Sequence, residues 1–137
     1  MEKEIMALTH PIPTQFAERI YENNKTVFVS KRQLKNVSPG DKFVIYESHG
    51  ARAYTGWADI KSITKMSPRR IIMTYKDDLI LTGEEFREYS KDKKYMSVIE
   101  FKNFEMFKNK VVPKRFVSMS GKYIYKDEFN HIIENKD

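Results

Sequence analysis

The sequence predicts one α+β domain in which β-structure dominates, a small mixed barrel with a few helices at its periphery. Three observations predict it. Short apolar runs recur between turn signals along most of the chain. The run Lys42 to Ser48 carries Phe43 and Ile45 on one face and Val44 and Tyr46 on the other, the pattern of a strand buried on both sides or set in a small barrel. Gly56 interrupts a longer strand pattern, Ala53 to Ile63, as glycines do at bulges and barrel corners. At 137 residues the chain fits a single domain, residues 1–137, long enough to bury about two-thirds of its surface around one core. No repeat or linker marks an internal boundary.

The elements follow in order. Ile5 to Leu8 reads as a short buried strand, which Pro11 and Pro13 are expected to break. A helix then starts near Pro13 or Thr14, with Phe16, Ala17 and Ile20 on one face. Asn23 and Asn24 tolerate the left-handed conformation that stops it. A strand over Thr26 to Ser30 comes next. In "SPGD" Pro39 presets its backbone angle and Gly40 supplies the positive one that a type II turn needs. The strand Lys42 to Ser48, the turn "HGAR" and the strand Ala53 to Ile63 complete the first half. "TGEE" has the spacing of a capping box and predicts a helix from Gly83 to Ser90 with Phe86 inward. Tyr95 to Phe107 reads as a strand bent near Lys102. "GKYIYK" adds a strand, and Phe129, Ile132 and Ile133 mark a closing helix. Between Ser67 and Leu81 no element is assigned.

Composition removes several function classes. Without cysteine there is no disulfide framework, thiol catalysis or cysteine-type zinc site. His10, His49 and His131 have no paired ligand spacing, so neither a metal site nor a cofactor is expected. The acidic N-terminal stretch "MEKEIMALTHP" does not read as a signal peptide, and no apolar run approaches the roughly 20 residues that cross a bilayer. A cytoplasmic location with no membrane partner is the expectation. A net charge of +6 and a pI near 9.4 bias the surface weakly toward anionic partners, nucleic acid first.

The stretch "ENNKTVFVSKRQL" frames one strand with cations at both ends, Lys25 before it and Lys31 and Arg32 after it. From spacing alone, Lys25 and Thr26 are the exposed residues of a turn. Lys31 and Arg32 fall on opposite faces of an extended chain, so only one can point into a given cleft. Arg32, with its planar fork, is the better candidate for a phosphate or a base edge, and Lys31 reads as surface charge. Tyr46 and Ser48 share a strand face, and Ser48 and Arg52 flank the following turn, where a rigid scaffold often carries binding residues. Trp57 reads as core, and His49 has no partner of catalytic spacing. The basic pairs of "SPRR" and "VPKRF" would track a nucleic-acid backbone if they met, and "KDKK" is explained by a helix end.

The string from "ALTHPIPTQFAERIYENNKTVFVSKR" to "SPGDKFVIYESHGARAYTGWADIKSI" resembles the ASCH group of the PUA-like superfamily. "GDKFVIYESHG" is similar to the matching segment of EVE domains, which share the fold and recognise modified bases. "LTGEEFREYSKDKKYMSVIEF" resembles the helix-then-strand step of archaeal ASCH-like proteins, whereas Val111 to Asp137 matches no part of the pattern. The resemblance implies a small PUA-like β-barrel with helices at its rim and a cleft edged by the "KT" turn and the "IYES" strand. It further implies RNA or a nucleotide-like ligand in that cleft. Some ASCH members hydrolyse acetylated cytidine, which implies a lysine at the Lys25 position and a hydroxyl or carboxylate at the Phe28 position. Here Phe28 is apolar, and Ser30 stands where many relatives carry arginine. Both departures weigh against catalysis. The expectation is therefore an RNA- or modified-nucleotide-binding module with a basic cleft, contacting its ligand through Lys25, Thr26, Arg32, Tyr46, Ser48 and Arg52. The alternative is an amidohydrolase or nuclease in which Lys25 is catalytic, assisted by Thr26 or Glu47.

Overall fold

The structure, a computed structural model, describes residues 4–31, 37–48, 51–115, 117 and 121–137. Ten elements run in the order β1 (Ile5–Ile12), α1 (Thr14–Asn23), β2 (Val27–Ser30), β3 (Lys42–Glu47), β4 (Ala53–Met66), α2 (Pro68–Tyr75), α3 (Gly83–Tyr89), β5 (Met96–Val111), β6 (Lys122–Tyr125) and α4 (Lys126–Asn135). The strands form one mixed sheet ordered β2-β5-β4-β3-β1-β6. β1 and β3 are parallel, and every other neighbouring pair is antiparallel. The fold is thus α+β with β dominant. The sheet is not closed into the barrel that the sequence reading expects, because β2 and β6 stand at its two edges.

Curvature nevertheless brings β2 back toward β1. A flat sheet would hold these strands four spacings apart, roughly 19 Å. Instead the ring of Phe28 on β2 lies 5.2 Å from the ring of His10 on β1 and equally close to Phe43 on β3. The reason for incomplete closure is local. The N–H of Val27 donates to the Asp78 carbonyl, and its own carbonyl accepts from Ile80, so residues 78–80 occupy the outer edge of β2. A strand edge that already has a partner cannot also take β1.

Several local signals act as read. Gly40 adopts φ +97° in a turn closed by the Asp41 N–H on the Ser38 carbonyl. Asn24 is the left-handed cap of α1, and Pro13 is its N-cap rather than its first helical residue. Thr82 and Glu85 close the capping box of α3 reciprocally. Gly56 sits at a bulge, and a Cβ there would meet the Glu105 carbonyl oxygen at 2.7 Å. Asn103, at φ +54°, puts the bend of β5 beside Lys102.

Other elements differ from expectation. β1 runs on through Pro11 to Ile12, because β6 ends opposite Thr9 and the missing N–H faces an open edge. α2, unassigned from sequence, is capped by the Ser67 hydroxyl with Pro68 in its first turn. No helix of the described residues is long and apolar enough to cross a membrane.

The core has three parts. Leu8, Phe43, Ile60, Ile99 and Phe101 fill the concave face of the sheet, closed by Ala17 and Ile20 of α1. Val44, Tyr54, Trp57, Phe107 and Ile124 pack on the convex face beneath Ile132 of α4. Val27, Val29, Met96 and Val98 meet Ile71 and Phe86 of α2 and α3 beyond the β2 edge. β3 is therefore buried on both faces, with Phe43 and Ile45 to one side and Val44 to the other.

Candidate functional site

The seam between β1 and β2 holds a cleft of about 190 Å³. Its walls come from five segments: His10 to Pro13, Phe16 of α1, Val27 to Val29, Ile80 and Leu81, and Tyr89 of α3. It is an apolar slot edged by rings. Val29 also contributes backbone. The Phe101 N–H bonds the Thr26 carbonyl, so by the alternation of an antiparallel ladder the N–H and C=O of residues 27 and 29 turn away from β5. Those of Val27 are taken by residues 78–80, and those of Val29 face the seam.

Polar groups border the slot. His10 Nδ1 lies 2.9 Å from the Pro11 carbonyl; since a carbonyl only accepts, that nitrogen carries the proton. The Lys31 ammonium sits 4.5 Å above the Tyr89 ring. Burial pushes the Tyr89 hydroxyl up from its ordinary pKa, and a hydrogen bond from the Lys31 backbone works the other way.

Arg19 braces the far wall. Its guanidinium grips the Glu85 carboxylate with two bonds (2.5 and 3.2 Å), donates to the Ile80 carbonyl at 3.0 Å and lies 4.7 Å from the Phe16 ring centroid. The same guanidinium, with help from Thr82, holds the Glu85 pKa down to about 2. One side chain thus ties α1, residue 80 and α3 together around the slot.

None of the described residues expected from sequence lines this cleft. Lys25 and Thr26 lead into Val27: the Lys25 amine donates to the Asp77 carbonyl at 2.5 Å and the Thr26 N–H to the Asp78 carbonyl. Tyr46 and Glu47 pair with Pro11 and Ile12, and the Ser48 N–H bonds the Ile12 carbonyl. Tyr46 itself turns to the convex face, edge-on to Tyr54 at 5.9 Å. Glu47 lies near the Tyr21 hydroxyl, which burial pushes well up and which bonds Thr55. Arg52, exposed and at φ +50°, begins the β4 corner beside Glu47. No hydrogen bond joins Lys25 to the Thr26 hydroxyl or to Glu47. Arg32 and His49 lie outside the described residues.

His10, Phe28 and Tyr89 line the slot and Lys31 lies over the Tyr89 ring, and the sequence alone marks none of them as part of a cleft. The "THP" and "SK" flanks were the available signals, and neither means anything until β1 and β2 are brought side by side. Among the described residues no group of three or more His, Asp or Glu side chains is placed to hold a metal.

This curled sheet with its helix-braced seam is an ASCH-like fold. It superposes on the ASCH protein of Zymomonas mobilis with a TM-score of 0.84 at 14% identity, over 94% of each chain. A serine-to-alanine variant of that protein gives 0.85 at 13% identity, over 97% of this chain and 98% of the other. A hypothetical protein from Leishmania major gives 0.57 at 11% identity, over 95% and 93%. These identities establish shared architecture only. Residues 5–126 match the family described as Domain of unknown function (DUF365), and the chain belongs to that family. An uncharacterized protein of Methanocaldococcus jannaschii is 33% identical over 105 residues, 68% of this chain and 97% of the relative.

Proposed function

We propose that the protein is a PUA-like module that binds RNA or a modified nucleotide by seating one base in the β1–β2 seam. The observation that carries this reading is the ring-edged apolar slot bordered by Phe28, His10 and Tyr89, with the Lys31 ammonium at its rim. At about 190 Å³ the slot is smaller than the roughly 300–1,000 Å³ of sites for drug-sized ligands. One base fits, with sugar and phosphate left outside. Stacking on rings supplies sequence-tolerant affinity, and the Val29 N–H and C=O offer a base edge its hydrogen bonds. The phosphate then falls to the cations outside the slot, Lys31 and Lys25, with Arg32, Ser48 and Arg52 as further candidates. Hydrolysis by Lys25 is the less supported alternative, since its amine is engaged with the Asp77 carbonyl outside the slot.

Titration with a short single-stranded RNA and with free nucleosides tests the proposal. Binding should weaken steeply as salt rises. Phe28→Leu keeps apolar volume but removes a ring, and should cost about 1–3 kcal/mol of affinity. The absence of any binding at low salt, to RNA or to nucleosides, rejects the reading.

A further inference from the structure

A second concavity, about 450 Å³, lies on the other side of α3, between α3 and α2. α2 presents Arg69, Ile72, Met73 and Lys76 to it, the i, i+3, i+4, i+7 set that forms one helical face. α3 presents Phe86 and Arg87 from the opposite wall. The floor is apolar. Phe86 is 1% exposed and closes it from below, while Met73 is 75% exposed. An exposed methionine on a convex surface needs no explanation, but one set in a groove is an adaptable apolar contact without a partner. The rim is cationic. Among the described residues Arg69, Lys76 and Arg87 make no ion pair, whereas Arg19, Lys42, Lys122 and Lys136 each hold a carboxylate.

We propose that this groove docks an acidic amphipathic helix of a partner protein. Two facing helical ridges with an apolar floor receive a helix through side chains three and four residues apart, and three unpaired cations at the rim select carboxylates on its flanks. α2 has eight residues, about 12 Å of helix, which sets the engaged length at roughly two turns. Nucleic acid suits the groove less well. The one ring there, Phe86, is buried and offers no stacking face, and α3 also carries the exposed Glu84 and Glu88.

Gly83 supplies a clean test. It lines the groove at the start of α3, and a Cβ built there meets nothing within 4 Å. Gly83→Glu therefore adds a carboxylate to the groove without crowding, at a helix end that favours one. Fluorescence anisotropy is to be read with a labelled helical peptide of about 16 residues. It carries leucine at i, i+3, i+4 and i+7 with glutamate elsewhere. The same peptide with lysine for glutamate and a single-stranded RNA serve as comparisons. The acidic peptide should bind. Gly83→Glu and Arg87→Glu should each weaken it by about tenfold or more while both variants keep the native circular dichroism spectrum, and Phe28→Leu should leave it alone. Three results overturn the proposal: no binding of the acidic peptide, equal binding by the lysine peptide, or loss of RNA rather than peptide binding in the two groove variants. The last would make the groove a nucleic-acid surface.

Discussion

The two edges of the sheet meet opposite fates. At the β6 edge the strand pairs with Ile5 to Thr9 of β1 and runs directly into α4, which seals the convex face with Ile132. Glu128, a carboxylate buried there, accepts from the Tyr54 hydroxyl at 2.7 Å and from Lys122 at 3.0 Å. At the β2 edge the strand is four residues long, and its outer hydrogen bonds at Val27 go to residues 78–80. β1 is left without a partner beyond Thr9 on that side, and the gap becomes the slot. One edge is finished as core and the other is kept open by diverting its hydrogen bonds. The unfinished edge is where apolar surface and the outward backbone groups of Val29 remain available.

Variants can break this contrast. The largest effect should fall on the closed edge. Glu128→Ala leaves the buried Tyr54 hydroxyl without its acceptor and the Lys122 ammonium with only the Arg115 carbonyl, and should cost about 3 kcal/mol in urea unfolding. The folded fraction should still bind RNA. Arg19→Ala should cost less, about 1–3 kcal/mol, because its bonds are half-buried. Unlike Glu128→Ala it should also reduce ligand affinity, since it frees residue 80 and α3 from α1. The two variants together separate stability from binding.

The Arg19–Glu85 pair also makes the open edge sensitive to acid. Glu85 titrates near 2 when folded and near 4.5 when unfolded, so its contribution is fully present above about pH 4.5 and is lost as pH falls toward 2. The carboxylate is about a third exposed, so screening leaves about 1 kcal/mol, and urea midpoints between pH 6 and pH 2.5 should show that loss vanish in Arg19→Ala. The smallest effect on stability belongs to Lys25→Ala, about 0.5 kcal/mol, for an exposed amine on a carbonyl. If Lys25 touches a phosphate, the salt dependence of RNA binding should fall by about one unit of slope in that variant.

Much of the fold was legible because its signals are local. The Gly40 turn, the Thr82–Glu85 box, the two-faced burial of β3 and the Gly56 bulge depend on residues a few positions apart, or on a steric demand that only glycine meets. α2 was equally local, with Ser67 and Pro68 in cap and first-turn positions, but "SPRR" was read for its basic pair rather than for its cap. The site was less legible. Openness of the sheet depends on Val27 bonding residues fifty positions away, and the slot assembles five segments that share no pattern in sequence. Phe28 shows the limit well. Read as strand filler and as an argument against catalysis, it proves to be a ring on the slot wall. Lys31, read as surface charge, sits over the Tyr89 ring at the rim.

A base entering the β1–β2 seam should perturb the amides that line the slot. Backbone amide chemical-shift mapping during a nucleoside titration tests it most directly. The largest shifts should fall at His10, Phe28, Val29, Leu81 and Tyr89, with Glu128 and Ile132 unmoved. Shifts confined to Tyr46, Ser48 and Arg52 or to β6 and α4, or no shifts at saturating nucleoside, would contradict it.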